Sequence, residues 1–436
     1  MCKITKENDS LQRQTENKDE DSHVPPIKKN VPELRFPEFE GEWKEVQIKD
    51  IANIVGGGTP STKNKDFWNG KINWFTPTEV GENKYLFNSE RKITEKGLEK
   101  SSATLLPINT ILLTTRATIG RRSIILKKST TNQGFQSLTI KNNSNVEFIY
   151  YLLDTLEKIL LRKSCGSTFL ELSKKELKKI NIIIPIIEEQ EKIANFLSAI
   201  DKKIGFMEKT LKQNIKEKTY YLQNLFPNEN KIPLIRFSEF NDNWQIRKIK
   251  EVLNISGRIG FRGYTQKDFV KKGEGALTIG AKHITSNNKL KLVEPEYISW
   301  NKYYESPEIM IQKGDILLSK TGTIGKVTLI NKEIGEATIN PNLVLLNDFK
   351  ADRKFLYYLM STYNFKKELL RYSTTTSVPM INQENINNIS IKIPSHDEQI
   401  RIVKVLTTID RKIDLNNKKL NHLKQLKKGL LQKMFC

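Results

Sequence analysis

The 436-residue chain carries 72 lysines and arginines against 50 aspartates and glutamates, a formal charge of +22, with 37% apolar and 8% aromatic residues. That length allows two or three domains with cores of their own, and so large a positive surplus points to a polyanion, nucleic acid before anionic membrane; the competing reading is a lysine- and asparagine-rich composition spread over solvated helix faces. Cys2, Cys165 and Cys436 are too few and too scattered for a disulfide framework or a zinc site and suit a reducing cytoplasm, and the lack of any run of about 18 apolar residues excludes a spanning helix.

Residues 1–30 are polar with mixed charge and no apolar signal core, and are expected to form a disordered lead-in. A first module, 31–186, opens with the phrase RFPEF followed by a tryptophan: Arg35, Phe36, Phe39 and Trp43. Within it ITEKGLEKSSATLLPINTILLTT reads as short strands and turns, FIYYLLDTLEKILLRK has helical periodicity, and KINIIIPI reads as a last strand closed by Pro185. A long amphipathic helix is predicted over 187–227, with Ile193, Leu197, Ile200, Ile204, Met207 and Leu211 alternating at spacings of four and three, and Pro227 as its stop. A second module, 228–395, opens with RFSEF and its tryptophan: Arg236, Phe237, Phe240 and Trp244. It repeats the series as IQKGDILLSKTGTIGKVTLI, KFLYYLMSTYNFKKELLRY and NISIKIPS, closed by Pro394. A second heptad helix over 396–436 carries Ile402, Leu406, Ile409, Ile413, Leu420 and Leu423, with Asn416 at the skipped place. Each helix is about 50–60 Å long at about 1.5 Å per residue, and pairing them buries both seams, with Lys218 and Lys427 at equivalent seam positions.

The offset between copies drifts from 201 at the opening phrase to 205 at the TIG segment (Thr118-Ile119-Gly120 and Thr323-Ile324-Gly325) and 209 at the closing EQ-helix. Small loop insertions in one architecture explain the drift. Residues 56–105 and 257–310 share little. The frame is duplicated while its contents differ, so the fold class is α+β, two pseudo-repeated α/β modules with two long helices. No catalytic signature accompanies it. GGGTPSTK (56–63) lacks phosphate-loop spacing, as does Gly322-Thr323-Ile324-Gly325-Lys326. Asn340-Pro341-Asn342 lacks the second proline and the aromatic of a base-holding Asn-Pro-Pro-aromatic motif and reads as a turn before LVLL. His23, His283, His396 and His422 form no metal pair, and a nuclease-like group of Glu79, Glu82 and Lys84 lacks a supporting strand pattern.

This combination resembles the DNA-specificity (S) subunit of type I restriction–modification enzymes over nearly all of 31–436. The resemblance rests on the duplicated RF-x-EF…W phrase, the ILLSKTGTIGK element, IPxxxEQ and the heptad helices, with GGGTPSTKNKDFWNGKINWFTPTEV (56–80) and GRIGFRGYTQKDFVKKGEGALTIGAKHI (257–284) similar to segments of the family's modules. It implies two target recognition domains docking in the major groove of double-stranded DNA, with the helices antiparallel as a spacer. It also implies two adenine methyltransferase (M) subunits and two restriction/translocase (R) subunits as partners and no membrane. No cofactor is expected in this chain; S-adenosylmethionine, ATP and Mg belong on the partners. The RF-x-EF…W segments and the outer helix faces are expected to meet the two methyltransferase copies, because a segment repeated in two different readers suits an identical partner on both sides. A stand-alone DNA-binding regulator with a coiled-coil dimerisation arm is the rival reading, and a fused enzyme a second.

Candidate DNA contacts in the first module are Thr59, Lys63, Lys65, Trp68, Trp74, Thr76, Arg116, Arg121, Arg122 and Gln133. In the second they are Arg258, Arg262, Tyr264, Gln266, Lys282, His283, Lys320, Lys326 and Asn342. Arginine and lysine suit guanine, glutamine and asparagine suit adenine, and an aromatic ring can stack or meet a thymine methyl. Trp68, Trp74 and Tyr264 also fit a core, and any single lysine also fits a phosphate contact or a solvated surface.

Overall fold

Strand order repeats as the sequence does. The computed structural model describes residues 30–166, 170–227, 232–258, 260–374 and 377–436, so the expected lead-in lies, Asn30 apart, outside the described residues. The chain divides into two units, one of residues up to Lys202 together with Lys424–Cys436, the other of Lys203–Leu423.

In the first unit, strands Ala52–Gly56, Gln136–Ile140, Ile111–Leu113, Arg122–Ile125 and Tyr85–Leu86 lie side by side, antiparallel except for the last pair. A second sheet holds Arg91–Ile93, Trp68–Phe75 and Ser129–Thr131, and Lys44–Gln47 pairs with Asn181–Ile184. In the second unit, Asn254–Ser256, Leu343–Asn347, Ile316–Ser319 and Val327–Leu329 reproduce the first four strands. Phe269–Val270, Glu296–Ser299, Gly275–Ile279 and Ala337–Ile339 form the other sheet, and Gln245–Lys248 pairs with Ser390–Ile393. Register repeats too, with Ile111 opposite Leu138 and Ile316 opposite Leu346. The divergent stretches therefore supply the same structural slot: Trp68–Phe75 runs parallel to Ser129–Thr131 as Gly275–Ile279 runs parallel to Ala337–Ile339.

The apolar runs ILL and ILLS are buried on both faces, which explains why they lack polar alternation. Successive side chains of a strand point to opposite faces. Ile316 and Leu318 accordingly join a cluster with Phe355, Ile391 and Leu406, while Leu317 joins Ile279, Ile309, Ile339 and Leu345 on the other side.

Two sequence expectations change. The stretch after Ile93 is not all strand and turn: the Thr94 hydroxyl accepts the Gly97 N–H at 3.0 Å, and Glu95–Glu99 is a short helix. The helical stretch following each sheet is broken in two, Val146–Thr155 with Glu157–Arg162, and Arg353–Met360 with Tyr363–Arg371. In the second copy Thr362 starts the new helix by accepting the Phe365 N–H, as Asn145 and Asp352 start the first helix of each copy.

The long helices are Ile187–Asn224 and His396–Lys433, 38 residues each. The central helix stops three residues before Pro227 because Leu225 and Phe226 turn into the second unit's core at 2% and 3% exposure. Within the first unit, Asp201 near the start of the central helix meets Lys427 near the end of the C-terminal helix at 2.6 Å. Within the second, Lys218 near the end of the central helix meets Asp410 near the start of the C-terminal one at 2.7 Å. The helices therefore run antiparallel, and the two seam lysines are ion-paired in the same way. Among the described residues no helix is long and apolar enough to cross a membrane.

Candidate nucleic-acid interface

The opening phrases act as clamps. Arg35 holds the Glu189 carboxylate with two 2.8 Å bonds, Nε to Oε1 and Nη2 to Oε2, and the Trp43 indole N–H adds a third at 3.3 Å. Arg236 and Trp244 repeat this on Glu398 at 2.9, 2.9 and 3.3 Å. Glu189 and Glu398 are fully buried, so each guanidinium neutralises a charge that could not stand alone; the bonds to glutamate raise both arginine pKa values. The next residue of each EQ pair spans two backbone groups. Gln190 accepts from the Asn145 N–H and donates to the Pro185 carbonyl, and Gln399 does the same with Asp352 and Pro394. Trp43 packs with Phe148 and Phe435, as Trp244 packs with Phe355 and Phe226. The phrase thus joins module to helix, with its arginine and tryptophan turned inward at the junction.

Held by these clamps, one end of each pair of sheets carries a group of loops. At its centre is the TIG turn. Thr114 N–H donates to the Arg121 carbonyl (2.9 Å) and Gly120 N–H to the Thr114 carbonyl (3.0 Å); Ser319, Lys326 and Gly325 give the same pair at 2.8 and 3.0 Å. Left-handed backbone at Ala117 (φ 57°) and Gly322 (φ 71°) makes the reversal. Beside it in the first unit, Thr115 N–H reaches Gly134 O (2.8 Å), Gly58 N–H reaches Thr131 O (2.9 Å) and Asn132 N–H reaches Phe75 O (3.1 Å). In the second, Lys320 N–H reaches Asn342 O and Asn340 N–H reaches Ile279 O, both at 2.9 Å. A capping turn completes each group. Glu79 accepts the Thr76 N–H at 2.8 Å, and His283 Nδ1 accepts the Gly280 N–H at 3.0 Å.

These loops bring together Thr59, whose hydroxyl donates to Gln133 at 2.5 Å, with half-buried Thr76 and exposed Arg116, which is ion-paired to Glu171 at 2.9 Å. Lys63 and Lys65 are exposed on the adjoining segment, and Arg121 is exposed at the end of the TIG turn. In the second unit Lys320 and exposed Asn342 meet at the turn, and burial holds the Lys320 ammonium below its ordinary pKa. The Lys326 ammonium donates to the Ala281 carbonyl at 3.1 Å, tying the TIG turn to the capping turn. Lys282 is exposed and paired to Glu296, Gln266 is exposed, and Arg262 is ion-paired to Glu308 at 3.5 Å.

Six candidates are turned wholly or partly inward and serve structure. Trp74, 3% exposed, donates its indole N–H to the Gly58 carbonyl, which fixes the glycine-rich segment. Trp68 is half-buried edge-on to Trp74 with the Arg91 guanidinium over its face, so it belongs partly to the same core. Arg122 is consumed by the Tyr150 and Gly120 carbonyls and Asp154. His283 is buried as the capping acceptor, and burial lowers its pKa, keeping it neutral. Arg258, 6% exposed, lies over the Tyr264 ring, whose hydroxyl bonds Thr278. Glu79, Glu82 and Lys84 do not converge: Glu79 caps its own turn while Lys84 bonds Glu147. Sequence reasoning missed Arg91, Glu189 and Glu398; the last two carried a signal, a repeated Glu-Gln at the offset of the helices.

The type I restriction modification DNA specificity domain family matches residues 40–217 and 241–425, once for each copy. The chain is 29% identical over 413 residues to the type I restriction enzyme MjaIX specificity subunit of Methanocaldococcus jannaschii, covering 90% of this chain and 92% of that one. It is 31% identical over 204 residues to the EcoR124I/EcoR124II specificity subunit of Escherichia coli, 44% of this chain and 50% of that one. A crystal structure of a type I system S subunit from M. genitalium shares the fold, with a TM-score of 0.58 at 17% identity, covering 93% of this chain and 99% of that chain. The duplicated frame, the antiparallel helices and the two family domains lead to one conclusion: the chain belongs to the DNA-specificity subunit family of type I restriction–modification enzymes.

Proposed function

We propose that this chain reads an asymmetric, bipartite double-stranded DNA target, one half-site per module, through base edges in the major groove. The observation that carries this reading is a duplicated frame holding two different faces: Thr59, Thr76, Arg116 and Gln133 in one, Lys320, Lys282 and Asn342 in the other. Base-edge contacts specify sequence while lysine and arginine on phosphates set register. Half-sites read by a two-headed protein are commonly separated by about 34–36 Å, one helical turn, and helices of 38 residues are long enough to hold readers at that separation.

The chain supplies the address and its partners the chemistry. Two methyltransferase subunits extrude the target adenine and carry S-adenosylmethionine, and two restriction/translocase subunits bring ATP and Mg. Exchange of residues 232–395 for those of a related chain, with methylation mapped in the assembled complex, tests module independence. One half-site changes and the other persists; a change in both contradicts the reading.

A further inference from the structure

Lys84 lies in the divergent stretch of the first module, outside the base-reading loops, yet its side chain is 11% exposed and fully engaged. An ammonium has three donors and no acceptor. Its contacts are Glu147 Oε2 at 2.9 Å, the Tyr151 hydroxyl at 2.9 Å and Ser198 Oγ at 2.7 Å. Ser198 belongs to the central helix and in turn donates to Glu147. Tyr151 donates to Asp201 of the same helix at 2.6 Å, and Lys427 of the C-terminal helix holds the other oxygen of Asp201 at 2.6 Å. One side chain of the reading module is therefore bonded directly to the helix that carries it.

The link continues to the reading face. The Lys84 carbonyl accepts the Ile124 N–H at 2.7 Å, and Tyr85 pairs with Ile124 in the sheet. Ser123 accepts the Gly81 N–H at 3.1 Å and donates to the Asn83 carbonyl at 2.6 Å. Ile124 is three residues from Arg121, the end of the TIG turn. Hydrogen bonds followed by three residues of chain thus connect the helix to the base of that turn.

The second unit keeps the common part of this arrangement, Tyr358 to Asp410 to Lys218. It has Lys354 where the first has Glu147, so a buried lysine is not accommodated there. Its divergent stretch meets the short helix Arg353–Met360 through the Asn288 carbonyl, which accepts the Tyr357 hydroxyl at 3.2 Å, and meets the C-terminal helix through Lys289 with Asp414. The side chains of that ion pair are 47% and 50% exposed, and such pairs contribute little.

Building on the two-half-site reading, we infer that Lys84 is a positioning residue: it fixes the first reading module against the central helix and so sets how strictly the spacing between half-sites is enforced. Loss of a buried network member is felt through every partner it leaves unsatisfied.

The test uses the full chain assembled with its methyltransferase partner and a set of duplexes with both half-sites intact and the spacer varied one base pair at a time. The wild type methylates one spacing strongly. For Lys84→Met the ratio of native to off-by-one spacing falls about tenfold, the scale of a coupling near 1.4 kcal/mol; Lys84→Arg restores part of it. Ser198→Ala, which strands no charge, shifts the ratio the same way by less and serves if Lys84→Met does not fold. An unchanged ratio in Ser198→Ala, or in Lys84→Met with activity merely scaled down, overturns the inference while leaving the bipartite target intact. A wild type indifferent to spacing overturns the underlying reading instead.

Discussion

The two units are alike where they grip the helices and unlike where they face outward. Arg35, Trp43, Glu189 and Gln190 have counterparts in Arg236, Trp244, Glu398 and Gln399 with bond lengths that agree within 0.1 Å, yet the capping turn is built on Glu79 in one unit and His283 in the other. The lesson is a division of labour. A buried, charge-neutralising junction tolerates no change because either partner alone is costly, whereas a solvent-facing loop on a rigid sheet can be rewritten without disturbing the frame.

The largest test of that likeness is to break one clamp at a time. Arg35→Ala and Arg236→Ala each leave a buried carboxylate unpaired, and each should destabilise its unit by about 3–5 kcal/mol, read by denaturant unfolding with hydrogen exchange to tell the units apart. A loss confined to one unit's clamp would show that the duplication is only formal.

A smaller test lies in the TIG turns. Ala117 and Gly322 share the left-handed region, and a Cβ added at Gly322 would meet nothing within 4 Å beyond its chain neighbours. Gly322→Ala should therefore cost about 1 kcal/mol from backbone strain alone, and Ala117→Gly should recover about that amount. Thermal melts showing the same sign for both would contradict the shared turn.

The smallest effect is a pH difference between the units. Burial would raise the Glu147 pKa, but bonds from Ser198, Tyr85 and Lys84 outweigh it and hold the carboxyl below its ordinary value. A carboxylate depressed in the folded state stabilises above its unfolded pKa, about 4.3, and that contribution is lost as pH falls through the lower folded value. The second unit has Lys354 at this place. Below about pH 4.3 the first unit's junction should loosen more than the second's in hydrogen exchange, and Glu147→Gln should remove the difference. Equal loosening in the wild type would count against the network.

Much of this was legible in the chain. The repeat, the heptad spacing of Ile193, Leu197 and Ile200, and the closing strands before Pro185 and Pro394 carry their own patterns, because burial on one face of a helix imposes a period. The candidate loops were legible as stretches of the chain, but which of their side chains turn outward was not. Composition cannot distinguish an arginine that faces DNA from Arg122, whose donors are taken by two carbonyls and Asp154, or a surface tryptophan from Trp74. Those choices depend on loops brought together from distant sequence, as Gly58 is with Thr131. Glu189 and Glu398 stand in the first turn of a helix, and only the returning arginine shows why they are buried.

Methylation mapping across a genome carrying this chain with its methyltransferase partner tests the central claim most directly. The duplicated frame with two different faces predicts one asymmetric motif of two short specified segments separated by a constant number of unread base pairs. A contiguous motif, or a palindromic one, would contradict it.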